Sequence, residues 1–335
     1  MKIGVLGAGS WGIALTELLS GNGHKVTVWS IDEAEIAMLR EHREHKMKLP
    51  GVILKEDVLY TTKVEEAVLD AEMLVMVVPS PFIRSTAKTI APFVKENQLI
   101  VNVSKGIEED TLMTLTEIIS EEVPIARVAV LSGPSHAEEV GKHIPTTVVA
   151  GSTDKEIASL IQDTFMSDYF RVYTSPDVIG IELGGALKNV IALAAGIADG
   201  LGCGDNTKAA LITRGITEIT RLGVAMGGKI ETFAGLSGIG DLIVTCASKH
   251  SRNRNAGYLI GQGKTYKEAM EEVKMVVEGV YSAKAAMALS KKYGIDMPIV
   301  ECVNKMLFED LTATEAMKIL LGRDKTKEAE SLSWN

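Results

Sequence analysis

The chain has 335 residues, 46% apolar and 24% charged, the composition of folded rather than disordered protein and enough for about two domains. With 35 Lys and Arg against 44 Asp and Glu, the formal charge of −9 argues against DNA, RNA or an anionic membrane as the main partner. The three cysteines, Cys203, Cys246 and Cys302, are odd in number and far apart, so no disulfide framework is expected and a reducing compartment is.

Short runs, most of them continuous and apolar, predict strands at 2–6, 25–29, 73–78, 99–103, 127–131 and 146–150, of the kind buried on both faces. Helical periodicity lies between them at 11–22, 33–44, 81–94, 111–121 and 154–166. Strand and helix alternating in this way make an α/β fold: a mainly parallel, doubly wound sheet with right-handed crossovers. After residue 175 the strand signals stop. Ser175-Pro176 reads as an N-cap with proline at the first helical position, followed by apolar residues at Ile179, Leu183, Leu187, Val190, Ile191 and Ala194. Further helices are expected at 206–226, 253–261, 282–293, 299–308 and 314–320. The division is therefore a sheet domain over 1–175 and an all-α domain over 176–335, with no Pro- or Ser-rich linker and a charged end, 323–335, expected to fray. A first strand starting at Lys2 leaves no room for a signal peptide, and apolar runs such as 73–79 are too short for a bilayer. A cytoplasmic protein without membrane insertion is the expectation.

Gly7-Ala8-Gly9-Ser10-Trp11-Gly12 is a GxGxxG run. It follows the first strand, opens a helix and precedes a second strand within about 30 residues, the setting of a Rossmann-type dinucleotide site. Glycines there give a tight turn and let amides approach a pyrophosphate at a helix N-terminus. The cofactor is then NAD(H) or NADP(H). The second strand ends in Trp29-Ser30-Ile31-Asp32, with no basic residue at its tip, which leans towards NAD. Ligands of such sheets bind at the carboxyl ends of strands, where Pro79-Ser80-Pro81, Ser104-Lys105-Gly106 and Gly133-Pro134-Ser135-His136-Ala137 are found.

The segment 183–198 is apolar around most of its circumference, yet carries Lys188 as its only charge. Asp241 is likewise the only charge in 235–246. A lone cation and a lone anion in apolar segments most simply pair, and such a pair suits function better than stability. A lysine protonated at neutral pH donates to a carbonyl oxygen as hydride reaches carbon. The reverse direction needs that ammonium made more acidic, by burial or by a second cation such as Lys105. Gly184 and Gly185, one turn earlier, are expected to let substrate or nicotinamide come close to the helix. In His250-Ser251-Arg252-Asn253-Arg254-Asn255, Ser251 is a candidate N-cap, so the helix start offers amides and a guanidinium to a phosphorylated substrate.

Together these motifs resemble bacterial-type NAD(P)-dependent glycerol-3-phosphate dehydrogenases from residue 7 to 322, with Gln-Gly-Lys at 262–264 and Val-Val-Glu-Gly at 276–279 added to the segments above. The resemblance implies reduction of dihydroxyacetone phosphate to sn-glycerol 3-phosphate, a phospholipid precursor, by a metal-free homodimer. It implies cofactor contacts at Gly7, Gly9, Ser10, Trp11, Gly12, Ile31, Lys105, Ala137, Arg252, Val276 and Glu278. It implies substrate contacts at Lys105, Gly133, Ser135, Lys188, Asp241, Ser251, Arg252 and Asn253, with Lys188 as proton donor and acceptor. Many members carry a basic residue where Ile31 stands, and that departure bears on NADP preference.

Other signals fall away. A P-loop ending at Gly263-Lys264-Thr265 lacks its earlier glycine, since Tyr258 stands there. Asn102-Val103-Ser104 is a glycosylation pattern on an expected buried strand, and His42 with His45 has no thiolate or carboxylate set to complete a zinc site. Two competing functions remain: a dehydrogenase of a β-hydroxyacid or hydroxyacyl thioester, which does not need Arg252 beside Lys188 and Asp241, and a redox sensor, for which no basic helix-turn-helix is visible.

Overall fold

The computed structural model describes residues 1–325, 327 and 328; most of the charged end expected to fray lies outside the described residues. The N-terminal part is an eight-stranded sheet: β1 (Lys2–Leu6), β2 (Lys25–Trp29), β3 (Leu59–Thr61), β4 (Met73–Met76), β5 (Leu99–Asn102), β6 (Arg127–Ser132), β7 (Thr146–Gly151) and β8 (Phe170–Ser175). The spatial order is β3-β2-β1-β4-β5-β6-β7-β8, and every pairing is parallel except β6 with β7. The chain departs from β1 in both directions, so a crevice opens where β1 and β4 part, at the tip of the GxGxxG turn.

Helices α1 (Ser10–Gly21), α2 (Glu33–His42), α3 (Val64–Val68), α4 (Ile83–Ile90), α5 (Leu115–Glu122), α6 (Ala137–Val140) and α7 (Lys155–Phe165) cover the two faces. On one face Leu15, Leu18, Ile36, Ile161 and Phe165 pack on Val5, Val28 and Val148; on the other, Val68, Ile83, Ile90 and Ile119 pack on Leu6, Leu74 and Ile100. Such two-sided burial explains why the strands read as unbroken apolar runs.

Two strands were not expected. β3 has only three residues and its Leu59 is exposed at the sheet edge; β8 alternates Phe170 and Val172 inward with Arg171 and Tyr173 outward, a period-two signal of an edge strand. The antiparallel β7 follows from its connection. Residues 133–145 join it to β6 with only the four-residue α6 between them, rather than the longer helix that usually carries a parallel crossover.

From Val178 onward the described residues are helical: α8 (Val178–Gly200), α9 (Asp205–Ala225), α10 (Ile230–Phe233), α11 (Asp241–Ala247), α12 (Arg252–Gly261), α13 (Tyr266–Val273), α14 (Glu278–Tyr293), α15 (Pro298–Phe308) and α16 (Ala313–Leu321). The cap of α8 is Asp177 rather than Ser175; its carboxylate accepts from Gly180 N at 3.0 Å and also from Lys229 N at 2.8 Å. α8 is the axle of this part, with Leu183 to Ile197 buried among α9, α11, α12, α14 and α15. α12 lies against it at backbone distance. A Cβ added to Gly196 would sit 2.0 Å from Arg254 O, and one on Gly257 2.2 Å from Leu193 O, so only glycine permits the approach.

Contrary to the apolar-run reading, the stretches Val178–Gly200 and Ile230–Ala247 are long and apolar enough to cross a bilayer by length and composition; the first is 89% buried in the helical core. Among the described residues no group of three or more His, Cys, Asp or Glu is placed to hold a metal ion.

Candidate active site

The GxGxxG turn is held by its glycines. Gly7 has φ +128°, in the region that excludes most side chains, and a Cβ on Gly12 would lie 2.0 Å from Gly7 O. Gly9 differs, since nothing lies within 4 Å of the position its Cβ would take. It is the N-cap of α1, and no side chain caps that helix, which leaves a free helix N-terminus facing open space. A pyrophosphate fits such a cradle. Ser10 Oγ donates to Lys48 O at 2.7 Å, Trp11 rests on the sheet core, and Ile31 is 84% exposed at the tip of β2. Asp32, at the end of that segment, caps α2 by accepting from Ala34 N at 2.8 Å.

Lys188 and Asp241 meet, as their isolation in apolar segments predicts. The Lys188 ammonium donates to Asp241 Oδ1 and, at 2.7 Å, to Thr245 Oγ1. Lys105, from the loop after β5, reaches the same carboxylate: its Nζ is 2.6 Å from Asp241 Oδ2 and 2.9 Å from Gly133 O. One buried carboxylate is thus shared by two ammonium groups from two parts of the chain. A turn of π-helix at Leu236–Gly240 delivers Asp241 to the start of α11. Gly184 lies against that turn, where a Cβ would meet Ser237 O at 2.4 Å, and Gly185 lies against Ser132 and Lys105. These glycines admit protein backbone and side chain, so the expectation that they leave room for substrate or nicotinamide is corrected.

The charges set each other. Burial pushes the Lys188 ammonium down to about 8; Asp241 opposes this and Lys105 adds to it. Burial would raise the Asp241 carboxyl, but Lys105 and Lys188 outweigh it and hold the group below the usual carboxylate range. His136, on the loop after β6, is held below its ordinary value by burial and then by Lys188, and its Nε2 is buried without a hydrogen-bond partner.

Around this cluster stand the other expected residues. Gly133 has φ +143° and turns its carbonyl to Lys105, while Ser135 Oγ donates to the same carbonyl at 3.0 Å. Ala137 opens α6 and is buried. Ser251 caps α12, accepting from Arg254 N at 3.2 Å, as expected; Arg252 follows, exposed at the helix start. Asn253 is buried, donating to Asn189 Oδ1 at 3.0 Å and accepting from Gly279 N at 2.8 Å, which ties α8, α12 and α14 together. Val276 is half-buried; Glu278 accepts from Ser80 N at 3.2 Å and from Ser80 Oγ, joining α14 to the loop after β4. Two partners escaped the sequence reading. Thr245 was visible only as the residue one turn after Asp241, and Ser80 only as part of a strand-end segment.

Comparison with known proteins gives a consistent picture. Two family models match, described as the NAD-dependent glycerol-3-phosphate dehydrogenase N-terminus over residues 2–158 and C-terminus over 177–318. The chain is 62% identical over 333 residues to glycerol-3-phosphate dehydrogenase (NAD(P)+) of Agathobacter rectalis and 60% identical over 333 residues to that of Fusobacterium nucleatum, covering 99% of each chain in both cases. It superposes on the crystal structure of glycerol-3-phosphate dehydrogenase from Coxiella burnetii with a TM-score of 0.93 at 36% identity, over 96% of this chain and 99% of that one.

Proposed function

Because the chain belongs to the NAD-dependent glycerol-3-phosphate dehydrogenase family, we propose that it reduces dihydroxyacetone phosphate to sn-glycerol 3-phosphate with Lys188 as proton donor. The observation that carries this reading is the buried Lys188–Asp241–Lys105 cluster between the tips of the sheet and α12. Bound NAD(P)H supplies the hydride. The chain's own residues do the rest.

The free N-terminus of α1 and the open side of Gly9 receive the dinucleotide, with Ser10, Trp11, Ile31, Ala137, Val276 and Glu278 along its length. Arg252, the α12 amides capped by Ser251, and Asn253 hold the substrate phosphate, while Lys105, Gly133 and Ser135 orient the carbonyl end. Lys188 protonates the carbonyl oxygen as the carbon becomes tetrahedral, and Asp241 with Thr245 keeps the ammonium aimed. In the oxidative direction a lysine lowered to about 8 takes the hydroxyl proton back. A homodimer working in the cytoplasm, dividing its labour at residue 175 and supplying glycerophospholipid synthesis completes the proposal.

Lys188→Ala tests it. Turnover of dihydroxyacetone phosphate is expected to fall by several orders, about 10³-fold or more, with NADH binding retained. Turnover near the wild-type level rejects the assignment. Arg252→Ala is expected to raise the KM for the triose phosphate more than it changes cofactor affinity, and the opposite pattern removes it from the phosphate role.

A further inference from the structure

Glu182 is a buried carboxylate that the reaction above does not use, and burial pushes it up against the opposing influence of Thr116. It lies on α8 six residues before Lys188, yet its donors, Thr116 and Asn102, belong to the sheet domain. Its Oε1 accepts from Thr116 N at 2.9 Å and from Asn102 Nδ2 at 3.3 Å, and its Oε2 accepts from Thr116 Oγ1. Asn102 ends β5 and clamps the next turn on both sides: Nδ2 donates to Ser104 O at 3.1 Å, and Oδ1 accepts from Ser104 N at 3.1 Å. Ser104 Oγ donates to Val78 O at 2.5 Å, fixing the turn against the end of β4. The next residue is Lys105, whose Nζ bridges Gly133 O and Asp241 Oδ2.

We propose that Glu182 is a positioning residue of the reaction, locking the Asn102–Ser104 turn to the helix that carries Lys188 and so setting Lys105 on Asp241. This rests on the role given to Lys188 above. The same helix presents the proton donor on one side and grips the sheet domain on the other, so the two lysines keep their spacing through one rigid element. A buried carboxylate with three donors is an expensive way to pack a helix, since apolar side chains of similar volume serve stability as well. It does fix one register of α8 against the sheet.

The consequence is readable in pH. Lys188 is faced by Asp241 and Cys246 from α11, by Lys105 from the loop after β5 and by His136 from the loop after β6, while Glu182 is faced by Glu117 from α5. Lys105 helps to hold the Lys188 ammonium low. Releasing the Lys105 arm lets that ammonium rise, so the alkaline limb of kcat/KM for reduction moves up from about 8.

The experiment measures kcat and KM for dihydroxyacetone phosphate with saturating NADH across pH, for Glu182→Ala, Glu182→Gln and Asn102→Ala, each also in a Lys105→Ala background. Glu182→Ala is expected to lose about 10- to 100-fold in kcat/KM and to shift the alkaline limb upward. Glu182→Gln keeps an acceptor for Thr116 N and Asn102 and recovers to within about three-fold with its limb restored. In the Lys105→Ala background the Glu182→Ala loss shrinks to less than about two-fold, because both changes act on one arm. An unmoved limb in Glu182→Ala, or losses that multiply with Lys105→Ala, overturns the proposal. Should Glu182→Ala not fold, Asn102→Ala decides, and an unshifted limb there refutes the chain of contacts. Failure of the Lys188 reading looks different: it shows as turnover surviving in Lys188→Ala.

Discussion

Asp241→Asn isolates the carboxylate's charge from its shape, since an amide of the same size still fills the space between Lys105, Lys188 and Thr245. In the wild-type protein Asp241 raises a Lys188 ammonium that burial and Lys105 push down, leaving it at about 8. At contact distance and an effective dielectric of ~20, a unit charge pair is worth about 5 kcal/mol; discounting for relaxation, at least about two pH units of the Lys188 position depend on it. The ammonium of Asp241→Asn then titrates near or below about 6, so at pH 7 only about a tenth or less remains able to donate a proton. The assay is the initial rate of NADH consumption with dihydroxyacetone phosphate from pH 5 to 9. The variant should lose at least about ten-fold in kcat/KM at pH 7 beyond any pH-independent loss and regain it on acidification. The pH dependence of glycerol 3-phosphate oxidation should shift to lower pH in parallel. An alkaline limb that stays near its wild-type position, or rises, refutes the electrostatic reading of the cluster.

Three other perturbations probe the rest of the molecule. Ile31→Arg places a guanidinium at the exposed tip of β2, and should raise NADPH over NADH preference in kcat/KM by about ten-fold; no change separates that position from the adenosine ribose. Gly257→Ala puts a Cβ 2.2 Å from Leu193 O and must part α12 from α8, costing about 1–3 kcal/mol by urea unfolding and raising the KM for substrate, because Arg252 and Asn253 ride on α12. Glu35, half-buried beside the β2 tip, is lowered to about 2: partial burial would raise it, but His45, Lys48 and Ser30 outweigh that. A depressed carboxyl stabilises the fold above its unfolded value of 4.5, and that stability is lost as pH falls through 4.5 towards 2. Glu35→Gln should therefore cost up to about 3 kcal/mol at pH 7, and the gap to wild type should narrow steadily below pH 4.5. A gap independent of pH would mean that the charge contributes nothing.

What the sequence disclosed, and what it hid, follows burial and contact range. Strands sandwiched between helices print their burial as unbroken apolar runs, so β1, β2 and β4 to β7 were legible; β3 and β8 lie at the edges, where one side of the pattern is missing. The pairing of Lys188 with Asp241 was legible because each charge stands alone in an apolar segment, and a buried lone charge demands a partner. That Lys105 shares the carboxylate was not, since a lysine after a strand end looks the same in solvent as in a site. Gly184 and Gly185 misled for a related reason. Glycine records that something approaches closely, and here the visitor is the π-turn backbone at Ser237 and the stem of Lys105.

The same logic accounts for Glu182. A glutamate in the first two turns of a helix reads as a favourable charge near the N-terminus, which needs no further explanation. Only the fold reveals that α8 enters its own domain core at once, so that this carboxylate has no solvent and must find its donors on Thr116 and Asn102. The sheet domain and the helical domain are thereby joined through one helix that is at once core, clamp on the sheet and bearer of the proton donor. In such an arrangement the spacing between Lys105 and Lys188 is a property of the domain junction, so changes at Glu182 or Asn102 should register in proton transfer more than in cofactor affinity.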